Sequence, residues 1–97
     1  MSDTSDTSET QSENNHVTVY ATSWCGYCRR LKEGLASSGT PYTLIDIEEP
    51  GNEEAAEWVM SVNDGNAVVP TVRYSDGSHA TNPPAQAVDA KFQELSA

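Results

Sequence analysis

Apolar and polar residues alternate from His16 to Ala21, a stretch rich in β-branched side chains, and a period of two predicts a strand. The period changes after Cys25. From Tyr27 to about Ser37 the spacing is helical, with Leu31 and Leu35 four apart, until Gly39 and Pro41 stop it. Tyr42 to Ile47 reads as a second strand, in which the adjacent Leu44 and Ile45 predict burial on both faces. Asn52 is the expected N-cap of a second helix. Glu53 and Glu54 suit its positive end, Ala55, Val59 and Val62 its inner face, and Gly65 its stop. Val68 to Tyr74 forms a third strand entered through Pro70, and Asp76-Gly77 turns the chain into a short return strand, His79 to Thr81. A last helix starts at Pro83-Pro84 and carries Val88, Phe92 and Leu95 on one face.

The order β-α-β-α-β-β-α predicts an α/β fold. A parallel pair joined by a right-handed crossover, followed by an antiparallel hairpin, makes a four-stranded mixed β-sheet flanked by three helices. The pattern fills residues 17–97, one small domain. Residues 1–16 hold seven Ser or Thr, four carboxylates and, after Met1, no apolar side chain, and such a segment is expected to be a disordered acidic tail. It has neither the basic nor the apolar region of a signal peptide, so a cytoplasmic location is expected. No apolar run approaches the length of a membrane span.

Charge narrows the possible partners. The chain carries 15 acidic and 5 basic residues, a net −10. A surface of that sign repels phosphate backbones and no basic stripe offsets it, so nucleic acid is not an expected partner.

The two cysteines stand as Trp24-Cys25-Gly26-Tyr27-Cys28, after a predicted strand and at the opening of a predicted helix. That setting favours a redox pair over half of a zinc site. Zinc would need two further ligands, and His16 and His79 lack ligand-like spacing, so no metal is expected. The attacking species in disulfide exchange is a thiolate, and the unpaired N–H groups and dipole of a helix start favour the ionised form of a sulfur placed there. Cys25, expected at the exposed edge of that start, is the candidate nucleophile, and Cys28, one turn on, the candidate resolving thiol. Pro70 enters the third strand. With a cis bond to Val69, it would present the Val69 backbone to an extended partner as an added strand.

These features together resemble the glutaredoxins, of thioredoxin fold. Tyr20 to Cys28, Ser61 to Asn66, Val69-Pro70-Thr71-Val72, and Ser75 to Ser78 followed by Thr81-Asn82-Pro83 resemble more narrowly the mycoredoxin branch of that family. The resemblance spans roughly Val17 to Leu95. It implies a thiol–disulfide oxidoreductase that reduces mixed disulfides between proteins and mycothiol by a monothiol route. Mycothiol would be the thiol co-substrate, and an NADPH-dependent reductase would act elsewhere on the oxidised thiol. Cys25 and Cys28 would also be able to close a redox-active disulfide as a competing branch.

Two departures from classical glutaredoxins favour this narrower reading. Thr22 stands where those proteins usually carry a lysine. Ala80-Thr81-Asn82-Pro83 replaces the Gly-Gly-x-Asp stretch that holds one end of glutathione. Thr81 and Asn82 would contact the thiol co-substrate at the start of the last helix, Tyr27 would stack on it, and Trp24 would shield the nucleophile. The first strand has no carboxylate of the kind that assists the second cysteine in thioredoxins, which also favours the monothiol route. Two alternatives stay open at this level: a dithiol redoxin reduced by a flavin reductase, and a glutaredoxin-like dimer holding an iron–sulfur cluster. Without the cluster a monomer is expected.

Overall fold

A computed structural model of the chain describes residues 16–96. The alternating segment becomes strand β1 (Val17–Ala21), followed by helix α1 (Gly26–Ser38), strand β2 (Thr43–Asp46), helix α2 (Glu53–Ser61), strands β3 (Thr71–Tyr74) and β4 (His79–Thr81), and helix α3 (Ala85–Ser96). The sheet order is β2-β1-β3-β4, with β1 parallel to β2 and antiparallel to β3, and β3 antiparallel to β4. This is the predicted four-stranded mixed sheet with three helices. The expected tail lies outside the described residues except for His16. That residue accepts at its carbonyl from the Ser75 N–H at 2.9 Å and sets its ring 5.9 Å from Phe92.

The side-chain period of two divides β1 between two cores. Val17, Val19 and Ala21 face α1 and α3, where they pack with Leu31, Leu35, Val72 and Val88. Tyr20 points the other way, to Ile47 and Val59 beneath α2, and stacks 4.9 Å from Trp58. The sheet is therefore sandwiched between two helices on one face and one on the other. Gly39 ends α1 at φ 74°, a conformation that favours glycine, and Thr40 follows with its hydroxyl donating to Asp89 at 2.6 Å, which ties α1 to α3. Gly77 at φ 93° makes the tight turn before β4. In that turn Asp76 pairs with Lys91 of α3 at 2.8 Å.

Four expectations change. Leu44 is exposed, because β2 is an edge strand with a neighbour on one side only. Asn52 stands at the N-cap of α2, but its amide donates to the Asp46 carbonyl at 2.8 Å and makes no cap bond. The third strand starts at Thr71, because Val68 to Pro70 form a loop that leaves the ladder. Helix α2 ends at Ser61. Gly65 instead closes the following turn by donating its N–H to the Met60 carbonyl at 2.8 Å.

Candidate active site

Strand β1 delivers the chain to a short turn, and Cys25 follows as the N-cap of α1 with an extended backbone (φ −83°, ψ 120°). Its sulfur accepts the Cys28 backbone N–H at 3.2 Å, so one of the orphan donors of the helix start is aimed at the candidate nucleophile. Cys28 is one turn along, with no exposed surface, in the core with Leu31 and Leu35. Both cysteines are free thiols.

Cys25 is buried at 6% exposure, not on an exposed edge as its position suggested. The loop before β3 covers it. Val69 packs against this core, and its carbonyl accepts from the Cys25 sulfur at 3.7 Å. The Val69-Pro70 bond is cis, and the Pro70 carbonyl accepts the Asn82 N–H at 2.7 Å. Cys25, Val69, Pro70 and Asn82 are therefore neighbours, although up to 57 positions separate them in sequence.

Tyr27 is 60% exposed, with the Arg30 guanidinium 5.9 Å from its ring centre. Together with Asn82 and Pro83 they line a groove of about 390 Å³ between α1 and the start of α3. Trp24 is 67% exposed and turns its indole N–H to Glu48 at 2.9 Å. Thr81 donates its hydroxyl to Asn63 Oδ1 at 2.7 Å. Thr22 is buried, and its hydroxyl has no hydrogen-bond partner among the described residues. Among those residues no group of three or more His, Cys, Asp or Glu side chains is placed to hold a metal ion. Two contributors were not legible as such: Glu48, the partner of Trp24, and Asn63, which stood in the quoted motif without a role.

The two sulfurs differ chemically. Burial, with the neighbouring Cys25 side chain adding to it, pushes the Cys28 thiol from 9.0 up to about 12, against the smaller opposing pull of the Thr22 backbone and Lys32. Unfolded chain releases this proton at a lower pH than folded chain does. The resulting stability is complete below the unfolded value and is lost as pH rises toward the folded one. Under reducing conditions the wild type is therefore expected to lose more stability than Cys28→Ala between pH 8 and pH 10, by on the order of 1 kcal/mol. Urea unfolding of both proteins at the two pH values checks this, and parallel losses would contradict it.

A cysteine pair at a helix start, facing a cis-proline loop on a four-stranded mixed sheet, defines a redox protein of thioredoxin fold. Comparison with known proteins narrows the class. The Glutaredoxin family model matches residues 17–80, and the chain belongs to the glutaredoxin family. It is 60% identical over 81 residues to mycoredoxin 1 of Corynebacterium glutamicum, covering 84% of this chain and 98% of that protein. A Mycobacterium tuberculosis protein named as a glutaredoxin is 52% identical over 79 residues, covering 81% of this chain and 92% of its own. Among solved structures, the glutaredoxin of Methanosarcina mazei Go1 superposes with a TM-score of 0.66 at 22% identity, covering 81% of this chain and 79% of that one, a likeness of fold. The chain is thus a glutaredoxin-like redox protein of the mycoredoxin type. No helix among the described residues is long and apolar enough to cross a membrane.

Proposed function

We propose that this protein reduces mixed disulfides between proteins and mycothiol by a monothiol route in the cytoplasm, acting as a monomer. The Cys25 thiolate attacks the mycothiol sulfur of the mixed disulfide. The old S–S bond breaks, a Cys25–mycothiol disulfide forms, and the client thiolate leaves and takes up a proton. A second mycothiol, as thiolate, attacks the mycothiol sulfur on Cys25 and frees the enzyme. The product is oxidised mycothiol: the sulfur taken from the mixed disulfide stays at the disulfide level throughout, and the one free mycothiol thiol is oxidised as the client thiol is regenerated. Tyr27 and Asn82 flank the arriving thiol, Thr81 stands beside them, and the Val69 backbone receives the client chain ahead of Pro70.

The observation that carries this reading is the inequality of the two sulfurs. Cys25 receives a backbone N–H at the helix start, whereas Cys28 is buried and held protonated far above neutrality. A protonated Cys28 attacks slowly, so the mixed disulfide on Cys25 lasts long enough to meet a second thiol. The choice of mycothiol is supported by the 60% identity to mycoredoxin 1 and by the missing glutathione partners at Thr22 and Ala80 to Pro83. Turnover of one protein mixed disulfide should be measured with mycothiol and with glutathione in parallel. At least about tenfold higher kcat/KM is expected with mycothiol, equivalent to roughly 1.4 kcal/mol of transition-state preference. Equal or faster turnover with glutathione overturns the choice of thiol.

A further inference from the structure

Just beyond the end of α2, the carboxamide of Asn63 joins three elements. Its Nδ2 donates to the Val59 carbonyl of α2 at 2.7 Å and to Thr71 Oγ1 of β3 at 3.2 Å, and its Oδ1 accepts the Thr81 hydroxyl of β4 at 2.7 Å. Thr71 is fully buried and passes the connection on by donating to the Val68 carbonyl at 2.7 Å. Val68 is the residue before Val69, whose carbonyl lies 3.7 Å from the Cys25 sulfur. One half-buried side chain thus bonds Val59 of α2, Thr71 of β3 and Thr81 of β4, and Thr71 extends the connection to Val68 of the covering loop. Loops are held in place mainly by such bonds, because they have no ladder of their own.

We propose that Asn63 is a positioning residue for the client: through Thr71 it fixes the Val68–Pro70 loop at the separation from Cys25 at which a client backbone pairs with Val69. The inference rests on the proposed role of Val69 and adds the residue that sets its place. A fixed loop spares the client the cost of ordering it on binding, so loss of the carboxamide weakens binding and leaves the sulfur chemistry unchanged. The effect is specific to substrates with a peptide backbone, since a small disulfide has nothing to pair with Val69.

The test uses two substrates, a peptide whose cysteine carries mycothiol in a mixed disulfide and bis(2-hydroxyethyl) disulfide, with mycothiol as reductant. The variants are Asn63→Ala and the isosteric Thr71→Val, which removes the relay hydroxyl with little change in volume. For each, KM for the peptide is expected to rise roughly three- to tenfold, the scale of one or two lost hydrogen bonds. kcat for the peptide and both constants for the small disulfide should stay within about twofold. Asn63→Ala combined with Thr71→Val should cost little more than either alone, since both interrupt one connection. Thr71→Ser, which keeps the hydroxyl, should restore the wild-type KM. Unchanged peptide KM in both single variants overturns the inference, as does a parallel loss on both substrates. Wild-type protein that turns over the small disulfide but no peptide mixed disulfide overturns the proposed function instead.

Discussion

Cys25→Ala is expected to lose at least about 10³-fold in turnover of a mycothiol mixed disulfide, while Cys28→Ala keeps most of the wild-type rate. The first change removes the atom proposed to attack, and no other described sulfur is placed to replace it, because Cys28 is enclosed by the core. The second removes a thiol that, on the proposed route, takes no part in transfer from client to Cys25 or from Cys25 to a second mycothiol. Cys28→Ala also closes the competing branch in which Cys28 displaces mycothiol and an internal disulfide forms. Release of client thiol, followed continuously, reads the rate, and mass spectrometry of the stopped reaction should find mycothiol on Cys25 in the Cys28→Ala protein. Equal losses in the two variants would reject the monothiol route and favour dithiol reduction.

The second large effect is structural. Gly34 lies on α1 where it meets the start of α3, and a Cβ there would stand 2.5 Å from the Ala85 Cβ. An alanine inside a helix ordinarily gains about 1 kcal/mol over glycine. Here the alanine would meet a carbon fixed to the neighbouring backbone, and no rotamer relieves the overlap. The two helices must separate. A net loss of roughly 1–3 kcal/mol is expected for Gly34→Ala by urea unfolding, the usual range for overpacking. Gly34→Ala with Ala85→Gly should recover most of it, because the second change removes the atom in the way. A single variant as stable as the wild type would show that α3 shifts freely. The groove holding Tyr27 and Asn82 runs along this seam, so helix separation would also change the site.

Much of the architecture was legible because each element has its own local signal. The period of two in Val17 to Ala21, the four-residue spacing of Leu31 and Leu35, and Asp76-Gly77 each specify a local conformation with little help from elsewhere. The cysteine pair was legible for the same reason, since its place between strand and helix is a local fact. The misses have the opposite origin. Leu44 beside Ile45 has the composition of an interior strand, and only the sheet order shows that β2 has one neighbour. Cys25 loses its exposed edge to a loop 44 positions away in sequence. Asn63 had a local reading, a polar residue near a helix end. Its partners Thr71 and Thr81 are joined to it by tertiary folding alone.

The capping geometry at Cys25 has a consequence for handling the protein. The sulfur proposed as nucleophile is also the acceptor that finishes the first turn of α1, so chemistry at that atom perturbs the helix it terminates. Serine is among the best residues for that duty and alanine among the worst, a difference of about 1 kcal/mol. A serine replacement therefore removes the thiol with its scaffold intact, whereas an alanine replacement also frays the scaffold. On the proposed route every catalytic cycle exchanges one sulfur substituent for another at this same joint, which makes the amide of Cys28 a built-in reporter of occupancy for NMR.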